Sequence, residues 1–130
     1  NVYGSGQMGG DYSAVISVFA EQATNGEPIT VEGDGSQTRD FVHVRDIVQA
    51  NLLAASSDVT GVFNVGTGES VSILELAEFV RDVAGSESEI IHVEGRDGDI
   101  NRSQADVSRL ESTLDFEPSV SLKDGLDTVI

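Results

Sequence analysis

Gly33-Asp34-Gly35-Ser36-Gln37-Thr38-Arg39-Asp40-Phe41-Val42-His43-Val44 is the stretch that decides the fold of this 130-residue chain. It opens on a glycine-rich turn, Gly33 to Ser36, carries a cation at Arg39, and ends in a short extended run from Phe41 to Val44. Before it, Ile29-Thr30-Val31 reads as a strand. After it, Asp46 has the chemistry of a helix cap for Ile47 to Ser56, because its carboxylate can accept the free N–H groups of a first turn. Strand, turn, extended run and helix in quick succession point to α/β organisation.

The alternation continues on both sides. Asn1-Val2-Tyr3 reads as the tail of a strand, and Gly4 to Asp11 as a glycine-rich loop. Val15, Phe19 and Ala23 recur every four residues and predict a helix from about Ser13 to Asn25, stopped by Asn25-Gly26 and Pro28. Val62-Phe63-Asn64-Val65 reads as a buried strand, followed by the turn Gly66-Thr67-Gly68. Ser72-Ile73-Leu74-Glu75 has the form of a capping box opening a helix to Ala84. Ile90 to Val93 is a further strand, Asp106 is placed to cap a helix through Leu114, and Ser121 to Asp124 start a last helix running to Ile130. There is no internal repeat. Residues 1–130 read as one partial domain: the chain begins at Asn1 without an initiator Met and stops inside an apolar-periodic stretch.

Charge narrows the function. There are 23 acidic against 7 basic residues, for a net charge of −16, and Lys123 is the single lysine. Nucleic-acid binding relies on cations that neutralise phosphates, so this composition disfavours it, and an anionic membrane surface is disfavoured for the same reason. Many acids and almost no lysine suggest a salt-loving source, since self-repulsion fades as the screening length shrinks in concentrated salt. With no cysteine, a disulfide framework and a thiolate metal site are both excluded, and the two histidines, His43 and His92, lie far apart. No apolar run is long enough to span a bilayer and no signal peptide opens the chain, which gives a cytoplasmic expectation.

Gly4-Ser5-Gly6-Gln7-Met8-Gly9 matches G-x-G-x-x-G, and Glu32 closes the next strand, which is the outline of a dinucleotide fingerprint. In that motif the third glycine lies at the helix start. Here Gly10-Asp11-Tyr12 intervene, so the helix N-terminus stands away from the turn. A glycine loop without NAD is the favoured reading, with a cofactor-binding domain as the alternative.

Several separated segments carry a resemblance. Asn1-Val2-Tyr3-Gly4 with Gln7, the block from Gly33 to Val44 continued by Asp46-Ile47-Val48, Phe63-Asn64-Val65-Gly66-Thr67-Gly68 with Ser72 and Glu75, and Arg96-Asp97-Gly98-Asp99 followed by Ala105-Asp106 resemble, in order and spacing, the extended short-chain dehydrogenase/reductase family of sugar-nucleotide epimerases and dehydratases. The resemblance implies an α/β fold: the C-terminal, substrate-binding portion of a Rossmann-type enzyme whose NAD-binding half lies upstream. It departs from the family at Ser5 and Asp97, where proline is usual, at Glu32, where an aromatic is common, and at Arg45, where an acid is usual.

What the resemblance implies for the site fits the charge argument. The substrate would be a nucleoside-diphosphate sugar, and a strongly acidic protein must place cations deliberately to hold its two phosphates. Arg39 and Arg96 lie in loops suited to this, because a guanidinium fork matches phosphate oxygens. The alternative is local pairing, Arg39 with Asp40 and Arg96 with Asp97 or Asp99. The family match assigns further substrate contacts to Asn1, to the strand-end residues Thr30 and Glu32, to Phe41 and to Asp99. Asn64 and His43 are expected to be structural, His92 incidental, and Arg45, Arg81, Arg102 and Arg109 solvated or locally paired.

The activity so implied is that of an NAD-dependent nucleotide-sugar epimerase of the UDP-glucose 4-epimerase type. A 4,6-dehydratase or UDP-glucuronate decarboxylase of the same family is the alternative, and a non-catalytic nucleotide-sugar- or NAD-binding module is another. The tyrosine base and lysine of Y-x-x-x-K would precede Asn1, since neither Tyr3 nor Tyr12 has a lysine four residues on. The chain by itself is therefore expected to be inactive, NAD to be bound mainly by the missing half, and the whole protein to be a homodimer. The Val62–Val65 strand would complete the cofactor sheet, leaving an unpaired edge in its absence.

Overall fold

A computed structural model describes residues 1–7 and 14–130 of the chain. The third glycine of G-x-G-x-x-G and the predicted helix start at Ser13 lie outside the described residues. The elements in order are β1 (Val2–Tyr3), α1 (Val15–Asn25), β2 (Ile29–Glu32), β3 (Thr38–Arg39), β4 (Val42–His43), α2 (Val44–Ala55), β5 (Val71–Ser72), α3 (Ile73–Val83), β6 (Ile90–Val93), β7 (Arg102–Ser103), α4 (Ser108–Leu114) and α5 (Leu122–Leu126). The expected α/β class is what the chain adopts.

Three small sheets organise these elements. β1 pairs with β4 in parallel, Val2 opposite Val42. β2 pairs with β6 in parallel, with Ile29 opposite Ile90 and Glu32 opposite Val93. β3 runs antiparallel to β5 and parallel to β7, so Arg39 lies opposite both Val71 and Ser103. Alternation along β2 buries Ile29 and Val31 and leaves Thr30 and Glu32 half-exposed on the other face.

The main core lies where α1 and α3 pack over β2. It is built from Ile16, Phe19 and Ala23 of α1, Ile29 and Val31 of β2, and Leu76, Ala77 and Val80 of α3, joined by Tyr3, Phe41 and Leu126. A smaller cluster gathers Ala50, Leu110 and Phe116 under α2 and α4. α1 ends as the sequence predicts: Gly26 takes a left-handed φ of 70° and its N–H returns to the Ala23 carbonyl. The capping box at Ser72 also forms, with Glu75 N–H donating to Ser72 Oγ at 3.1 Å and Ser72 N–H donating to the Glu75 carboxylate at 2.9 Å. These serine bonds hold the Glu75 carboxyl below its usual range.

Three expectations need correction. Val62 to Val65 is not buried: Val62 is 83% exposed, and the segment, expected as an edge without a partner, joins no strand among the described residues. Its apolar alternation is that of a strand, but a strand exists only where a neighbour supplies hydrogen-bond partners. Exposed Val44, Val48 and Leu52 on α2, spaced four apart, are a second apolar row that the described residues do not cover. Asp46 is not the cap of α2. The helix starts three residues earlier than expected and is capped by His43, whose Nδ1 accepts the Arg45 N–H at 3.2 Å. The last helix, α5, ends at Leu126, and the chain closes through turns in which Val129 N–H returns to the Leu126 carbonyl. Asp106 does act at a helix start, its carboxylate accepting the Ser108 N–H at 3.1 Å and hydroxyl at 2.6 Å.

His43, buried as expected, has a pH consequence. Its ring meets Tyr3 edge-on at 5.2 Å, and its Nε2 lies 3.2 Å from Thr128 Oγ1. Because Nδ1 is an acceptor, Nε2 carries the proton in the neutral ring. Burial first, and then the Arg45 charge, hold its pKa below 6.5, with Asp46 opposing. The unfolded chain thus takes up a proton near pH 6.5 that the folded chain resists, so stability is full above that pH and falls as the pH drops through it. Urea midpoints should fall between pH 7.5 and pH 5.5, and His43→Gln should flatten that fall; an equally steep fall in the variant would assign the effect to other groups.

Candidate functional site

The site is a cleft of about 390 Å³ between the C-terminal end of β2, the outer face of β3, the start of α1 and the loop from Val93 to Asp99. Val15, Phe19 and Ile73 supply apolar wall, and the polar groups converge from segments distant in sequence. Asn1, Thr30, Glu32, Arg39, Phe41, Arg96 and Asp99 all line it. The structure therefore gathers every residue that the sequence singled out for substrate contact at one concavity, which is the kind of place where small ligands bind.

Each side chain is held differently. Arg39 is the rigid member. One terminal nitrogen donates to the Thr38 and Ile100 carbonyls at 2.8 and 2.5 Å, and the other donates to Asp99 Oδ1 at 2.6 Å. Its side chain is only 16% exposed. Arg96 is the loose member: its side chain is 80% exposed and makes one bond, to Glu32 Oε1 at 2.9 Å. The local pairings open to both arginines do not form. Their partners lie 60 and 64 residues away, across the cleft. Cations and carboxylates thus alternate around the opening, and the two guanidinium groups share one cavity.

The remaining members are positioned by main-chain geometry. Thr30 is clamped by Gln22 of α1, which accepts the Thr30 N–H at 3.0 Å and donates to its hydroxyl at 2.9 Å. The Glu32 carbonyl accepts from Gln37 Nε2 at 3.0 Å. Asn1 Nδ2 donates to the Asp40 carbonyl at 3.3 Å, holding Asn1 at the cleft edge. Phe41 is buried, serving core and cleft wall together. Asp99 receives Arg39 and its own neighbour's N–H, from Ile100 at 2.9 Å.

Sequence reading missed Gln22 and Gln37, which face the cleft strands from across a turn. Gln22 carries no local signal of this kind, and Gln37, though inside the Gly33–Val44 block, was given no role of its own. It also took His92 as incidental, whereas the ring Nδ1 lies 2.8 Å from the Gly33 carbonyl and braces the glycine turn. Asn64 is structural as expected, donating to the Asp106 carbonyl at 3.2 Å. Of the other arginines, Arg102 bonds nearby Gln104 and Arg109 lies 4.8 Å from the Phe63 ring centre. Tyr3 is no candidate base. Burial, then Asp46 and Asp124, push its hydroxyl up to about 12, and that hydroxyl faces the Leu122 carbonyl at 3.4 Å. Among the described residues there is no cluster of three or more metal-ligating side chains.

Comparison with known proteins gives the geometry its context. A protein-family model described as the NAD dependent epimerase/dehydratase family matches residues 1–66. A putative UDP-glucose 4-epimerase of Methanocaldococcus jannaschii is 35% identical over 130 residues, which is all of this chain and 42% of that protein. UDP-glucuronic acid decarboxylase 6 of Arabidopsis thaliana is 36% identical over 126 residues, 97% of this chain and 36% of the relative. The crystal structure of UDP-glucose 4-epimerase with UDP-glucose from Thermotoga maritima superposes with a TM-score of 0.90 at 36% identity, covering 99% of this chain and 42% of that one. The chain thus spans less than half the length of these proteins.

Proposed function

Because the chain belongs to the NAD dependent epimerase/dehydratase family, we propose that it forms the nucleotide-sugar-binding portion of an NAD-dependent nucleotide-sugar epimerase, with residues 1–130 acting as one partial domain. The ligand is a nucleoside-diphosphate sugar. Arg39 and Arg96 take its pyrophosphate; the Asn1 side chain contacts the sugar diphosphate; Asp99 accepts from nucleotide hydroxyls; the main chain of Thr30 and Glu32 and the Phe41 ring line the nucleotide. The observation that carries this reading is the convergence of two arginines, from loops far apart in sequence, on one cleft. A sugar decarboxylase would use the same cleft, and the similarity to an Arabidopsis decarboxylase keeps that activity as the second reading.

NAD is the family's cofactor, and when bound it supplies hydride acceptance and return. In a dinucleotide fingerprint the pyrophosphate would sit between the glycine turn after β1 and the start of α1, and residues 8–13 of that stretch lie outside the described residues. In keeping with the family resemblance we assign NAD mainly to the rest of the protein. The chain alone is inactive in this reading, the whole protein is a cytoplasmic homodimer, and the chain itself contains no helix long and apolar enough to cross a membrane among the described residues.

Calorimetric titration with UDP-glucose and with NAD, separately, tests the proposal. Binding of UDP-glucose is the expected result. Tight binding of NAD with none of UDP-glucose would replace it with a cofactor-binding domain.

Glu32 gives a sharper expectation. In the free chain its carboxylate occupies the Arg96 guanidinium that the ligand needs, so Glu32→Gln removes a competitor. Exposed ion pairs are worth about 0.2–1 kcal/mol, so UDP should bind about 1.5- to 5-fold more tightly to the variant. Weaker binding would mean that the Glu32 side chain, and not only its main chain, contacts the ligand.

The acidic surface fits a halophilic source. Two ion pairs form among the described residues, against a net charge of −16. The thermal midpoint should therefore rise as KCl goes from about 0.1 M to about 1 M, where the screening length drops to about 3 Å. A midpoint insensitive to salt would remove the halophilic reading.

A further inference from the structure

Asp40 follows Arg39 in the chain but faces away from the cleft. It is 4% exposed, and no cation pairs with it among the described residues. Backbone and hydroxyl donors surround it instead. Oδ1 accepts the Thr67 N–H at 2.9 Å and the Thr67 hydroxyl at 2.7 Å. Oδ2 accepts the Gly68 N–H at 3.1 Å and the Ala105 N–H at 3.2 Å. Bonds from N–H or O–H to an ionised oxygen are about twice as strong as neutral ones, and together they satisfy a charge that would otherwise be costly to bury. The packing leaves no slack: a Cβ on Gly66 would stand 2.6 Å from Asp40 Oδ2 and 2.6 Å from the Ala105 methyl.

The main chain of the same residue is also committed. Its N–H donates to the Ser103 carbonyl at 3.0 Å, and its carbonyl accepts the Asn1 side chain and the Asn1 main-chain nitrogen. Residue 40 therefore joins the start of β1, the 66–68 turn and the strand β7. The segment leading into β7 carries Asp99 and the Ile100 carbonyl, two of the three groups that orient Arg39. A carboxylate needed for stability alone could tie any three segments. This one reaches Ala105, just past β7, while the main chain of the same residue holds Asn1 at the cleft edge and adjoins Arg39.

We infer that Asp40 is a positioning residue: its buried carboxylate locks β3 against the 99–105 segment and so aims the Arg39 guanidinium into the cleft. The inference rests on the proposed reading of Arg39 as a pyrophosphate contact, and its test separates the two. Asp40→Asn keeps the shape but turns one acceptor into a donor facing N–H groups. Thr67→Val is milder, removing the hydroxyl bond and keeping the carboxylate. The first readout needs no ligand: the Arg39 Nε–H signal in nitrogen-15 NMR should shift or broaden in both variants while those of Arg45 and Arg81 stay put. The second is UDP affinity from the same spectra. Coupling between residues in one network predicts a loss of about threefold for Thr67→Val and about tenfold or more for Asp40→Asn, shrinking to under about twofold in an Arg39→Ala background.

An unmoved Arg39 signal in the folded variants overturns the inference, and so does an equal affinity loss with and without Arg39. If Asp40→Asn fails to fold, Thr67→Val decides alone. If Arg39→Ala itself leaves UDP binding unchanged, the pyrophosphate reading falls, and the Arg39 signal still judges the positioning role.

Discussion

Arg39→Ala should lower UDP-glucose affinity by about ten- to a hundredfold, because hydrogen bonds to charged groups are worth about 1.5–3 kcal/mol and each 1.4 kcal/mol is tenfold. Three features make Arg39 the dominant cation. Its side chain is mostly buried, so its charge is poorly screened by solvent. Its stem is fixed by three acceptors, so little rotamer entropy remains to be lost on binding. It also lies on β3, held on both sides by β5 and β7. Arg96 differs in all three respects, and Arg96→Ala should cost less. Arg39→Lys retains charge without the planar fork and should recover only part of the loss. Isothermal titration of the three variants checks the order. An Arg96 effect larger than the Arg39 effect would make the loose member, not the rigid one, the main phosphate contact.

The second large effect is on stability. Asp46 is completely buried, and its carboxylate accepts the Ser119 N–H at 2.9 Å, the Ser119 hydroxyl at 2.7 Å and the Val120 N–H at 3.2 Å. It ties α2 to the segment entering α5, whose Gly125 packs so closely on Tyr3 that an added Cβ would collide with the phenol oxygen. Asp46→Ala leaves two part-buried N–H groups without their acceptor, at about 1–3 kcal/mol each. The variant should lose on the order of 3 kcal/mol or more in urea unfolding, and Asp46→Asn, which keeps an acceptor oxygen, less. A loss under about 1 kcal/mol for Asp46→Ala would mean that water satisfies those groups.

These two aspartates mark the limit of what the sequence displays. Signals decided within a few residues read correctly: the stop at Gly26, the capping box at Ser72 and Glu75, and the strand at Ile29 to Val31. Signals decided by distant neighbours did not. Asp46 looks like a helix cap because caps are aspartates near helix starts, yet its partners arrive from 73 and 74 residues away. Asp40 looks like a surface partner for Arg39, yet it turns inward to a glycine turn 27 and 28 residues on. Val62 to Val65 has the composition of a strand, but no neighbouring strand among the described residues gives it a ladder.

The candidate site was more legible than its wiring. The family resemblance implied seven residues, and all seven line one cleft. Composition alone would have paired each arginine with the nearest acid. Which carboxylate each guanidinium meets is set by how the 96–101 loop lies across β2 and β3, and no local pattern encodes that.

The most direct measurement is a UDP-glucose titration of the chain with nitrogen-15 arginine, following every side-chain Nε–H signal. The Arg39 and Arg96 signals should move together along one binding curve, with Arg45 and Arg81 still. Movement of only one of the pair, or of neither while NAD shifts the spectrum, would contradict a diphosphate held between them.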